Sequence, residues 1–136
     1  MQLGRRLVLR GGIALAALAA LPTRLLAAAW PEKAFASKAA GQALIDLLGT
    51  DQTTPSDQIN LKVPEIAENG AVVPVTISTT LDGVESIGIV VEKNPRPLAA
   101  SFELPPGTLP EISGRIKMGE TSDVLAVVKT NAGIFS

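Results

Sequence analysis

The sequence predicts a mainly β fold, an immunoglobulin-like antiparallel β-sandwich with an N-terminal helix. Three observations lead there. Beyond residue 58, apolar and polar side chains alternate with period two in short runs. Clusters of Pro, Gly, Asn and Asp separate these runs at turn-like intervals. Seven such strands within about 100 residues are the count of that sandwich. The chain has no cysteine, so the Cys…Trp…Cys core of antibody domains is excluded.

The elements follow in order. Residues 1–29 read as a leader: "MQLGRRLVLR" is basic, "GGIALAALAALP" is a short apolar stretch, and Ala27 to Ala29 offer the small-x-small pattern for cleavage after Ala29. The run between Arg10 and Arg24 has 13 residues, whereas a spanning helix needs about 20. It is therefore no membrane anchor. The paired Arg5 and Arg6, followed by Leu7, Val8 and Leu9, resemble a twin-arginine export signal, which carries folded cargo to the periplasm. The alternative is an ordinary secretory signal with two adjacent arginines.

Residues 30–136 form the single domain. A helix is expected over 31–48, with Pro31 and Glu32 suited to its first turn. Ala40, Leu44, Leu47 and Leu48 form its apolar stripe, opposite Lys38, Gln42 and Asp46, and Gly49 ends it. After the polar linker "GTDQTTPSD", Ile59, Leu61 and Val63 begin the strands. Val73, Val75, Ile77 and Thr79 follow, with Pro74 marking an edge or a bulge. Asp82-Gly83 is a hairpin signal leading into Ile87, Ile89 and Val91, which period two points inward together. The turn "KNPRPL" precedes a strand at 99–103, and Ile112, Ile116 and Met118 supply the next. The run 124–128 is apolar on both faces, as a central strand would be, and Gly133 turns into a seventh strand with only three residues after it.

The chemistry on offer is narrow. Without Cys or His, disulfides, Cys/His zinc sites, His-ligated haem and Ser-His or Cys-His nucleophile pairs are excluded. The carboxylates are scattered singly, and no catalytic, cofactor-binding or metal-binding residue is predicted. Removing 1–29 leaves 8 basic and 13 acidic residues, a net charge of −5. Such a domain, with one Trp, three Phe and no Tyr, is no nucleic-acid binder.

Three blocks carry a family resemblance: "VPEIAENGAVVPVTIST" at 63–79, "VEKNPRPLAASF" at 91–102 and "RIKMGETSDVLAVVKT" at 115–130. With "WPEKAF" at 30–35 and the leader, they resemble the SoxY family, sulfur carriers of the thiosulfate-oxidising Sox system. The resemblance implies a periplasmic carrier without enzymatic activity, paired with a SoxZ-like subunit and in transient contact with the Sox enzymes. It also implies covalent sulfur intermediates on a cysteine in a C-terminal Gly-Gly-Cys-Gly-Gly arm, and no other cofactor. A thiolate is the nucleophile there, and flanking glycines leave the arm slim.

Here that arm has no counterpart, and the family cysteine is expected beyond Ser136. The expectation is a C-terminally truncated member with an open hydrogen-bonding edge at 124–128. The alternative is a cysteine-free exported module with a binding or scaffold role. The segment "NPRPLAASF" reads either as a contact surface or as a proline-fixed turn feeding a strand.

Overall fold

A computed structural model describes residues 29–136. Arg5, Arg6 and Ala27 lie outside the described residues, and Ala29 is the first of them. The sandwich lies within the compact unit Pro31–Ser136.

The segment 31–48 forms two helices rather than one, α1 (Glu32–Ala36) and α2 (Ala40–Leu48). Ser37 breaks the run: its backbone is extended, its N–H still donates to the Lys33 carbonyl at 3.0 Å, and its hydroxyl donates to the Ala39 carbonyl at 3.2 Å. Serine competes with helix in this way by bonding nearby backbone. The break allows Ala34 of α1 and both Ala43 and Leu44 of α2 to be buried in one apolar cluster. Gly49 ends α2 as expected. It takes a left-handed φ of 84°, and its N–H caps the Ile45 carbonyl at 2.8 Å.

Seven strands follow: β1 (Ile59–Lys62), β2 (Val73–Thr79), β3 (Val84–Val91), β4 (Leu98–Glu103), β5 (Glu111–Ile116), β6 (Val124–Thr130) and β7 (Gly133–Phe135). They pair antiparallel in two sheets, ordered β1-β2-β5 and β4-β3-β6-β7. In a constant-type immunoglobulin domain the fourth strand joins the first, second and fifth. Here the short turn after β3 keeps β4 hydrogen-bonded beside β3.

Between the sheets lie Val73, Val75 and Ile77 from β2, Ile87, Ile89 and Val91 from β3, Ile116 from β5, and Ala126 and Val128 from β6. The opposite face of the four-stranded sheet presents Val90, Leu98 and Val127 to the helical residues Ala34, Ala43 and Leu44. That second cluster explains why β3 and β6 are apolar on both faces. Each is sandwiched between the other sheet and the helices.

Two turn readings change. Pro74 does not mark an edge strand, since β2 is the centre of its sheet. The Thr79 N–H donates toward the β5 side and the Thr80 N–H toward the β1 side. By alternation, the nitrogen of Pro74 faces the β1 side, where pairing has already ended at Lys62↔Thr76. The missing N–H is thus harmless. Asp82-Gly83 does form a turn, with Gly83 at φ 65°, but it crosses from one sheet to the other instead of closing a hairpin. The register of β3 with β4 and β6 leaves no free side for β2.

Candidate functional site

Among the described residues, no group of three or more acidic side chains is placed to hold a metal. Every buried side-chain nitrogen and oxygen among them has a hydrogen-bond partner. No buried polar side chain among them is thus left unsatisfied. The functional geometry lies in edges and turns.

At the turn from β6 to β7, the Thr130 hydroxyl accepts the Ala132 N–H at 3.1 Å and donates to the Gly133 carbonyl at 3.0 Å. The Asn131 N–H reaches back to the Gly83 carbonyl at 3.1 Å. This locks β7 against β6 with Thr130↔Gly133, Lys129↔Ile134 and Val128↔Phe135 opposed. Val128 is thus paired, and the open edge begins one residue earlier than the sequence suggests. Residues 124–127 have no strand beside them on that side.

β7 itself is held on both sides. The polar linker supplies the second neighbour: Thr54 bridges Phe135 in parallel. The Thr54 N–H donates to Ile134 at 2.9 Å, and the Ser136 N–H donates to Thr54 at 3.0 Å. The Ser56 N–H donates to the Ser136 carbonyl at 3.0 Å, and the Thr53 and Ser136 hydroxyls lie 2.7 Å apart. Ser136 is therefore an anchored residue. Sequence reading missed this clamp, because a single parallel bridge from a polar linker leaves no periodic trace. The antiparallel register of β7 points along residues 127 to 124 of β6, toward a hollow of about 400 Å³ lined by Val63, Ile66, Met118 and Val124.

The "NPRPLAASF" segment divides. Pro97 and Leu98 are buried, the Val91 N–H donates to the Pro97 carbonyl at 2.8 Å, and the Asn94 N–H donates to Val91 at 3.2 Å. A proline-fixed turn feeding β4 describes that part. Lys93, Pro95 and Arg96 are exposed, and Asn94 ties the turn to the end of β5 through Lys117 and Gly119.

Residues 44–136 match the family profile of the sulfur oxidation protein SoxY. The chain belongs to the SoxY family. The fold agrees with it: the sulfur carrier protein SoxY from Chlorobium limicola f. thiosulfatophilum superposes with a TM-score of 0.65 at 37% identity, over 79% of this chain and 93% of that one. No curated protein sequence matches the chain. The SoxY match extends to Ser136 and so takes in β7 and its clamp. Ala29, the one residue of the expected leader that is described, falls outside the match. No helix among the described residues is long and apolar enough to cross a membrane.

Proposed function

We propose that this chain is a periplasmic carrier subunit of thiosulfate oxidation, without enzymatic activity of its own and paired with a SoxZ-like subunit. Membership of the SoxY family is the observation that carries the reading. In this reading residues 1–29 are a twin-arginine leader cleaved after Ala29, and Arg5 with Arg6 commits the folded domain to export. The sulfur rides on a cysteine of a glycine-flanked arm that follows Ser136, since residues 1–136 contain no thiol.

The clamp on β7 supports that placement. Strand and clamp hold Ser136 at a fixed point, and an arm departing from it would first run beside residues 124–127. Loading joins a thiolate to the outer sulfur of thiosulfate, forming an S–S bond and releasing two electrons to the acceptor of the loading enzyme. A serine or threonine hydroxyl cannot replace the thiol. It is scarcely ionised at neutral pH and forms no persulfide.

The test compares two chains by intact-mass spectrometry after incubation with a SoxZ-like subunit, the Sox enzymes, an electron acceptor and thiosulfate. One is the 136-residue chain; the other continues it with about ten strand-forming residues and Gly-Gly-Cys-Gly-Gly. The extended chain is expected to gain one thiosulfate-derived adduct, and the shorter chain none. An adduct on the cysteine-free chain, or none on the extended one, would overturn the carrier reading.

A further inference from the structure

We propose that the groove between the outer strands β4 and β5 binds an acidic, extended segment of a partner protein. The groove has a volume of about 590 Å³. Arg96 from the turn before β4, Arg115 of β5 and Lys117 just beyond it line the groove around Ala99 and Ile116. No carboxylate lines it. Residues 30–136 carry 8 cations against 13 acids, so a purely cationic groove opposes the net charge of its own domain.

Among the described residues these cations are not engaged elsewhere. The ion pair among the described residues is Lys129–Glu85, and the side chains of Arg96, Arg115 and Lys117 make no hydrogen bond or ion pair with another described residue. All three side chains are exposed, yet the backbone presenting them is stiff. Arg96 lies between Pro95, whose own φ is fixed, and Pro97, which disfavours helical backbone at Arg96. The Asn94 amide donates to the Lys117 carbonyl at 2.6 Å and accepts the Gly119 N–H at 3.0 Å, joining the turn to the end of β5. Such preorganisation lowers the entropy lost on binding.

Geometry selects a polypeptide over a small oxoanion. Both β4 and β5 are outermost in their sheets, so each leaves backbone donors and acceptors that an added strand can take. Arg115 and Lys117 are alternate residues, about 7 Å apart along an extended chain. That repeat is shared by the acidic side chains of a Glu-x-Glu segment lying alongside. A small anion would instead need convergent, water-excluding donors, and this groove is open.

The experiment is fluorescence anisotropy of the full 136-residue chain with labelled Gly-Glu-Val-Glu-Val-Glu-Gly. Its glutamine counterpart serves as the control. Binding is expected at 50 mM salt, weakened at least about tenfold at 300 mM because the charges are exposed. The triple variant Arg96→Glu/Arg115→Glu/Lys117→Glu is expected to bind at least about tenfold more weakly with an unchanged circular dichroism spectrum. The triple glutamine variant should show the same direction if charge reversal perturbs folding. Since all variants keep the leader arginines, the difference reports the groove. Equal binding by the variants, or none up to 1 mM protein, would overturn the proposal. So would displacement by sulfate or thiosulfate where chloride of equal ionic strength fails, since the groove would then be a small-oxoanion site. Binding that tracks a concentration-dependent dimer would put a second copy there instead and equally overturn it.

Discussion

Ile89 and Glu85 sit four positions apart on β3 and face opposite fates. Ile89 is 3% exposed in the core between the sheets, so Ile89→Asp would bury an unpaired carboxylate, at a cost of several kcal/mol. Loss of the cooperative urea transition is the expected outcome. Glu85 meets Lys129 at 3.7 Å with both side chains about half exposed, and such surface pairs contribute about 0–1 kcal/mol. Glu85→Ala should leave the urea midpoint nearly unchanged. Gly83 is a sharper case. Its φ is 65°, and an added Cβ would crowd the Asn131 side chain. Gly83→Ala should therefore destabilise by about 1–2 kcal/mol, and Asn131→Gly should restore part of that loss. Strict additivity of the two changes in a double-mutant cycle would show that the crowding is not the cause.

Helix α2 and strand β6 meet across the outer face of the four-stranded sheet, where Leu44 and Val127 are buried together. Leu44→Ala should cost about 2–5 kcal/mol, read as a lowered midpoint in chemical denaturation. A midpoint unchanged by that substitution would mean that α2 does not dock on the sheet in solution. Pro74 makes the converse argument. Its nitrogen faces the side that β1 has already left, so Pro74→Ala gains no ladder bond. The expected change is small, within about 1 kcal/mol.

Two features belong to the whole molecule. The stretch 124–127 of β6 has no strand paired beside it on the β7 side, and such edges invite pairing with other chains. The chain extended past Ser136 should aggregate more slowly on heating and melt higher than the 136-residue form. Equal melting of the two would show that the edge gains nothing from cover. Export is the other. Changing Arg5 and Arg6 together to Lys should abolish periplasmic delivery, and the exported protein should begin at Trp30. Normal export of the double variant, or in cells lacking the twin-arginine translocase, would return the leader to the ordinary secretory class.

The alternation of Ile87, Ile89 and Val91, and the two-faced run at 124–128, made the sandwich legible from sequence. Period two assigns side chains to faces before any partner strand is known. Gly49 was legible for a similar reason, because a left-handed helix end requires a residue without a Cβ. The three sequence blocks likewise pointed to the SoxY family. What the sequence left undetermined was every choice made between distant segments. Ser37 could have continued a helix, but its hydroxyl bond to Ala39 and the burial of Ala34 and Leu44 in one cluster favoured the break. Asp82-Gly83 encodes a turn, but the sheet into which it turns depends on the partners already beside β3. The clamp of Thr53, Thr54 and Ser56 on β7, and the meeting of Arg96 with Arg115 and Lys117, join residues far apart in the chain. Local pattern encodes which face a side chain takes; packing of the whole decides which remote face it meets.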